Sequence, residues 1–204
     1  MSKKSHKALA SATVMSLVLT SALTATNNVQ AAAKVERMPG ADRFATAQEV
    51  AKQSFGKAEN VVLVNGLGYA DAVSATPLAK QLDAPILLTD AEDKPSAKLL
   101  ATLTDLGAKN VYIIGGTGVV TEAMEKELAK TYKVERIAGD AKDGRYGTNA
   151  AVAKKVIEKT KATEGILVSA EGYADALSVA SIAATKGMPV LFRSEEHTSE
   201  LQSQ

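Results

Sequence analysis

The 204-residue chain is close to neutral, with a formal net charge of +1, and has no cysteine, no tryptophan and only two histidines, His6 and His197. Disulfides, thiolate nucleophiles and a lipid-bearing cysteine are thereby excluded. With no histidine between those two positions, so are His-ligated zinc, Ser-His-Asp triads and Cys-His pairs over the body of the chain. The charge balance gives no support for bulk electrostatic capture of nucleic acid, while local basic sites and carboxylate-only catalysis stay open.

In chain order, the first element predicted is a secretory signal over residues 1–31. Lys3, Lys4 and Lys7 form a basic start, "ALASATVMSLVLTSALTA" is an uncharged small and apolar run, and Val29-Gln30-Ala31 offers a small-residue cleavage site. The run is short and rich in Ser and Thr, which argues against a membrane anchor. At the other end, "RSEEHTSELQS" (Arg193–Ser203) reverse-translates codon for codon into a common sequencing-library adapter. Residues 193–204 are therefore set aside as an expected artefact, with the natural protein expected to continue past Phe192. Without Lys3, Lys4, Lys7, Arg193, Glu195, Glu196 and Glu200, basic and acidic residues balance.

Between these ends the chain repeats itself. "VERMPGADRFATA" (Val35–Ala47) answers "VERIAGDAKDGRYGTNA" (Val134–Ala150), and "GYADA" occurs at Gly68–Ala72 and again at Gly172–Ala176. An insertion around Ala141–Gly144 accounts for most of the difference in spacing. The spacing divides the body into a first repeat at 34–133 and a shorter second one at 134–192. In the first, "VERM" reads as a short strand. Phe44, Ala47, Val50, Ala51 and Phe55 share one helical face, which Gly56 can end. "VVLV" (Val61–Val64) reads as a strand buried on both sides. The next helix is predicted to begin at Asp71 and kink at Pro77, or else to begin at Thr76-Pro77 with Thr76 as its cap. "PILL" is a strand. Asp93 and Pro95 open a helix that buries Leu99, Leu100, Leu103 and Leu106 and ends at Gly107. "VYII" is a strand, and Thr121 caps a helix with Glu122 and Glu125 in its first turn. This alternation predicts an α/β protein, made of tandem open parallel-sheet modules of flavodoxin- or Rossmann-like build with helices on both faces. The second module is expected to be incomplete and to expose the edge of its Pro189–Phe192 strand.

Ligands of such sheets bind at the carboxyl ends of the strands, which is where the repeated motifs fall. "NGLGYADA" resembles a dinucleotide fingerprint, but Asp71 stands where the third glycine belongs and would repel pyrophosphate. In the second copy Ala170 replaces Gly66. No nucleotide or other cofactor is implied. "GGTG" (Gly115–Gly118) reads as a tight turn, or alternatively as a nest of N–H groups for an anion. Asp71 and Asp175 suit helix capping, or contact with a sugar hydroxyl or a cation. Tyr69 and Tyr173, two residues earlier, suit stacking on a sugar ring or packing over the loop. Arg43 and Arg145 stand near helix starts, where the dipole disfavours them. Each is therefore expected to pair with its repeat's Asp or to offer a fork to an anionic ligand.

"ADRFATA", "LVNGLGYADAVSATPLAKQLDAPILLTD" and "VYIIGGTGVVTEAMEKEL" resemble the cell wall-binding repeat type 2 family of Gram-positive bacteria, over essentially the whole body of the chain. The resemblance implies open parallel α/β modules, usually three in tandem, that hold secreted proteins non-covalently to anionic wall polymer, often beside a catalytic domain such as an amidase. It also marks Pro85, Ile86, Leu87 and Leu88 as an anchoring motif, although their composition alone reads as buried strand. The second copy departs from the motif at Val190 and Phe192. Three functions follow as expectations. The first is a non-catalytic wall anchor, alone or as the targeting part of a peptidoglycan hydrolase. The second is a carboxylate-based glycosidase, disfavoured because the matched acids come one per repeat instead of as a convergent pair. The third is a structural surface-layer domain.

Overall fold

The computed structural model describes residues 37–194. The signal and most of the adapter-like tail lie outside the described residues. The elements are α1 (Arg43–Phe55), β1 (Asn60–Asn65), α2 (Ala70–Leu82), β2 (Ile86–Thr89), α3 (Ala97–Leu106), β3 (Asn110–Ile114), α4 (Glu122–Leu128) and β4 (Lys133–Ile137). A single 3-10 turn (Ala141–Asp143) then leads to α5 (Gly144–Thr160), β5 (Ile166–Ser169), α6 (Tyr173–Lys186) and β6 (Val190–Arg193).

β1 to β4 form one parallel sheet in the order β2-β1-β3-β4. Val61, Val62, Leu63 and Val64 on the central strand are all 0% exposed, as an apolar run covered on both faces must be. Alternate residues feed two cores. Val61, Leu63, Leu87, Val111 and Ile113 pack with Ala51 of α1, Leu99, Leu103 and Leu106 of α3, and Met124 and Leu128 of α4. Val62, Val64 and Ile114 pack on the other side with Ala75, Leu78 and Leu82 of α2 and with Val152 and Val156 of α5. Each fully buried Val or Leu contributes about 1.5–3 kcal/mol. β5 and β6 pair in parallel as a second sheet, whose core of Val168, Ala176, Ala180, Ala183 and Val190 includes Val73 of α2. α2 thus serves both repeats.

Several expectations change. Arg37 and Met38, the described part of "VERM", form no strand, whereas its counterpart Val134–Ile137 lies in β4 and pairs with β3. Val50, Phe55 and Leu100 face solvent instead of the core. α2 neither starts at Thr76 nor is capped by Asp71. It begins at Ala70 behind Tyr69, makes no side-chain cap, and runs through Pro77. α6 likewise receives no cap from Asp175. α3 is capped by Ser96, three residues past Asp93, through Leu99 N–H at 3.1 Å. Thr121 caps α4 as expected, and Gly56 and Gly107 close α1 and α3 with positive φ. Arg193, assigned from sequence to the tail, completes β6.

The edge of β6 is met by a side chain. Asn149 of α5, 3% exposed, donates to Val190 O (2.8 Å) and accepts from Phe192 N–H (2.8 Å), as a neighbouring parallel strand would. It also donates to Ser74 Oγ of α2 at 2.6 Å. One amide therefore ties α2, α5 and β6 together.

Candidate functional site

Sheet order places the site. β1 leads to β2 on one side and β3 lies on the other, so the loops after β1 and β3 part at their carboxyl ends. A cavity of about 420 Å³ opens there. The first repeat supplies Asn65, Tyr69 and Asp71 from the β1–α2 corner and Gly116–Val119 from the loop after β3. The second supplies Gly139–Ala141, Gly144, Arg145 and Thr148. Both repeats are needed to enclose it.

The loops are braced from below. Asn65 Nδ2 donates to Val119 O and its Oδ1 accepts from Leu67 N–H, locking the two loops together. The "GGTG" stretch is a tight turn, with Gly116 O accepting from Val119 N–H. Arg136 of β4 donates to Gly115 O (2.8 Å), to Thr121 O (3.3 Å) and to Glu125 Oε2 (2.7 Å). Gly115 has φ of 118°, and a Cβ there would lie 2.5 Å from Val119 Cγ2 and 3.0 Å from Asp71 Oδ2, so only glycine fits against the carboxylate.

The structure separates the six candidate side chains into two sets. Arg43 and Arg145 do the same local work: Arg43 Nη1 donates to Gly66 O (2.7 Å) and Arg145 Nη1 to Ala170 O (3.2 Å), each holding the strand-to-helix corner of its own repeat. Neither pairs with its own repeat's Asp. Arg145 instead acts electrostatically on Asp71 of the preceding repeat. Tyr69 crosses in the opposite direction, donating its hydroxyl to Ala170 O (2.8 Å), with its ring 5.8 Å from that of Tyr173. Ala170 O therefore collects one donor from each repeat. Tyr69, Asp71 and Arg145 converge on the cavity, whereas Arg43, Tyr173 and Asp175 do not line it. Burial pushes the Asp71 carboxyl above its ordinary value, an effect partly offset by Arg145. Among the described residues nothing donates a hydrogen bond to Asp71, and Arg145 makes one hydrogen bond.

Pro85 is buried, and Ile86–Leu88 lie in β2, an edge strand whose Leu87 sits in one core while Ile86 and Leu88 pack on the other. No group of three or more His, Cys, Asp or Glu among the described residues is placed to hold a metal ion. Sequence reasoning passed over Asn149 and Arg136. The first is visible only as a departure between copies, where Ala47 stands in the first repeat. The second is the arginine of the repeated "VER".

Fold and cavity define a duplicated parallel α/β binding module. The chain belongs to the cell wall binding domain 2 family, matching it over residues 37–125 and 136–204. It is 39% identical over 159 residues to the N-acetylmuramoyl-L-alanine amidase LytC of Bacillus subtilis, covering 78% of this chain and 31% of the amidase. It is 32% identical over 166 residues to the amidase enhancer of the same organism, covering 80% of this chain and 22% of the enhancer. Among solved structures it resembles Cwp8 from Clostridium difficile, with a TM-score of 0.72 and 32% identity over 98% of this chain and 33% of that one. It also resembles Cwp6 from the same organism, with a TM-score of 0.70 and 31% identity over 82% and 27%. The chain thus spans a third or less of each of these relatives. What the family match shows of this chain is that it is a cell-wall-binding module.

Proposed function

We propose that the chain is the exported, non-catalytic anchoring part of a wall-associated protein and that it engages an anionic secondary polymer of a Gram-positive wall. The observation that supports the non-catalytic binding reading is the cavity between the repeats, where Tyr69, Asp71 and Arg145 offer ring, acceptor and donor to a ligand without forming a nucleophile–base pair, while the anionic character of the polymer rests on the family resemblance. Repeats 34–133 and 134–192 act as tandem modules, and further repeats add to retention through effective concentration. The Pro85–Leu88 motif contributes to anchoring by keeping the sheet edge in place. No helix among the described residues is long and apolar enough to cross a membrane.

The likeness to an amidase and to an amidase enhancer favours a companion reading, in which the chain targets a peptidoglycan hydrolase whose catalytic domain lies outside this sequence. Sedimentation with purified Gram-positive walls tests the proposal. The chain pellets with intact walls and stays in solution with walls stripped of secondary polymer. Equal pelleting with both would overturn the polymer assignment.

A further inference from the structure

The cavity has a chemistry of its own. Its charged lining is two carboxylates, Asp71 and Asp140, against one guanidinium, Arg145. The exposed Asp140 is met by Lys142 Nζ at 3.8 Å, which leaves Asp71 and Arg145 as the facing charges, and the first turns of α2 and α5 open on the cavity without side-chain caps. A phosphate or carboxylate placed here would meet the half-buried Asp71 carboxylate at close range, a poor design for an anion. A free cation would meet Arg145.

Unspent hydrogen-bonding capacity points elsewhere. Asp71, ionised, is acceptor-only and accepts no hydrogen bond among the described residues. Arg145 is donor-only, commits Nη1 to Ala170 O and forms no ion pair with Asp71 within 4 Å. A hydroxyl is the group that satisfies both at once, donating to the carboxylate and accepting from the guanidinium. Tyr69 adds a ring fixed by its bond to Ala170 O, an apolar wall suited to the C–H face of a sugar. The volume suits a short saccharide.

We infer that the joint between the repeats is a neutral-sugar site: it reads hydroxyls of an uncharged glycosyl unit of the wall polymer through Asp71 and Arg145, and no single repeat contains it. This rests on the wall-binding reading and sharpens it, because the polymer's charge would then lie outside the recognition site. Sites number one per joint instead of one per repeat.

The test uses the full chain and two probes prepared from the same walls: intact secondary polymer, and its repeating units after hydrofluoric acid removes phosphodiesters. Calorimetry and amide chemical-shift mapping report binding. The neutral units bind with shifts centred on Gly68–Asp71 and Gly116–Val119, and affinity changes by less than about threefold across a tenfold range of salt, unlike charge-driven binding. Asp71→Asn and Arg145→Gln each weaken binding about tenfold or more, the worth of a hydrogen bond to a charged group. Asp175→Asn, the same motif position outside the cavity, leaves it within about twofold. Binding of intact polymer but not of neutral units, steep salt dependence, or equal losses for Asp71→Asn and Asp175→Asn would each overturn the inference. If the chain fails to pellet with intact walls at all, the wall-polymer reading fails first, and the two failures are told apart.

Discussion

Asn149→Ala tests the joint more directly than any cavity substitution. The side chain makes three hydrogen bonds, to Ser74 Oγ, Val190 O and Phe192 N–H, and is almost fully buried. Each bond is worth about 1 kcal/mol net, and each partner left unpaired in a buried place costs about 1–3 kcal/mol. Ser74 recovers part of this, because a helical serine can turn its hydroxyl back to the carbonyl four residues earlier. The two β6 groups have no such escape. The expected loss is about 2–4 kcal/mol. Hydrogen exchange should place it in β6, β5 and α6, with β1 and β3 amides keeping most of their protection. Asn149→Asp retains the acceptor for Phe192 N–H but presents a carboxylate to Val190 O, and should be at least as damaging. Urea denaturation showing less than about 0.5 kcal/mol for Asn149→Ala, or protection lost equally in both sheets, would refute the account of Asn149 as a substitute strand.

Two further predictions concern the cavity and its floor. The folded state holds the Asp71 proton more tightly than the unfolded chain does, so stability falls as pH rises from about 3.8 through the raised folded value, and the penalty is complete above it. Asp71→Asn removes that penalty. Its Tm at pH 7 should match or exceed that of the parent, with the gap closing toward pH 4, and a lower Tm at pH 7 would contradict the burial argument. Gly139→Ala should destabilise by about 1–3 kcal/mol, because its Cβ would fall 2.2 Å from the Gly147 backbone, while Gly118→Ala, with nothing within 4 Å, should stay within about 0.5 kcal/mol by thermal unfolding.

The parts of the fold that follow from periodicity were legible in the sequence. Val61–Val64, the Leu99/Leu103/Leu106 stripe and the Thr121 cap follow from local rules, and tertiary packing agrees with them. Two of the failures share a cause, which is that a side chain's local option lost to a contact far away in sequence. Asp71 has the residue type and place of a cap, yet its carboxylate turns to the cavity and Gly115. Pro77 argues for a break, but α2 is clamped between two cores and continues as helix through it, and Thr76 Oγ1 donates to Ala72 O in the same turn. Of the candidate site, the residue types were legible and the grouping was not. Matched motifs suggested one site per repeat, whereas Tyr69 and Asp71 meet Arg145 across the repeats.

The pairing of β4 with β3 gives the array a phase. Sequence similarity starts each unit at "VER", yet Val134–Ile137 completes the sheet of the unit before it, over the full run from Asn110 to Ile114. The genetic period and the structural period are therefore offset by one strand. Loss or gain of one whole period anywhere within such an array exchanges one "VER" strand for another of the same make. Every internal sheet keeps its edge, and arrays can change length without a repair step at each new junction.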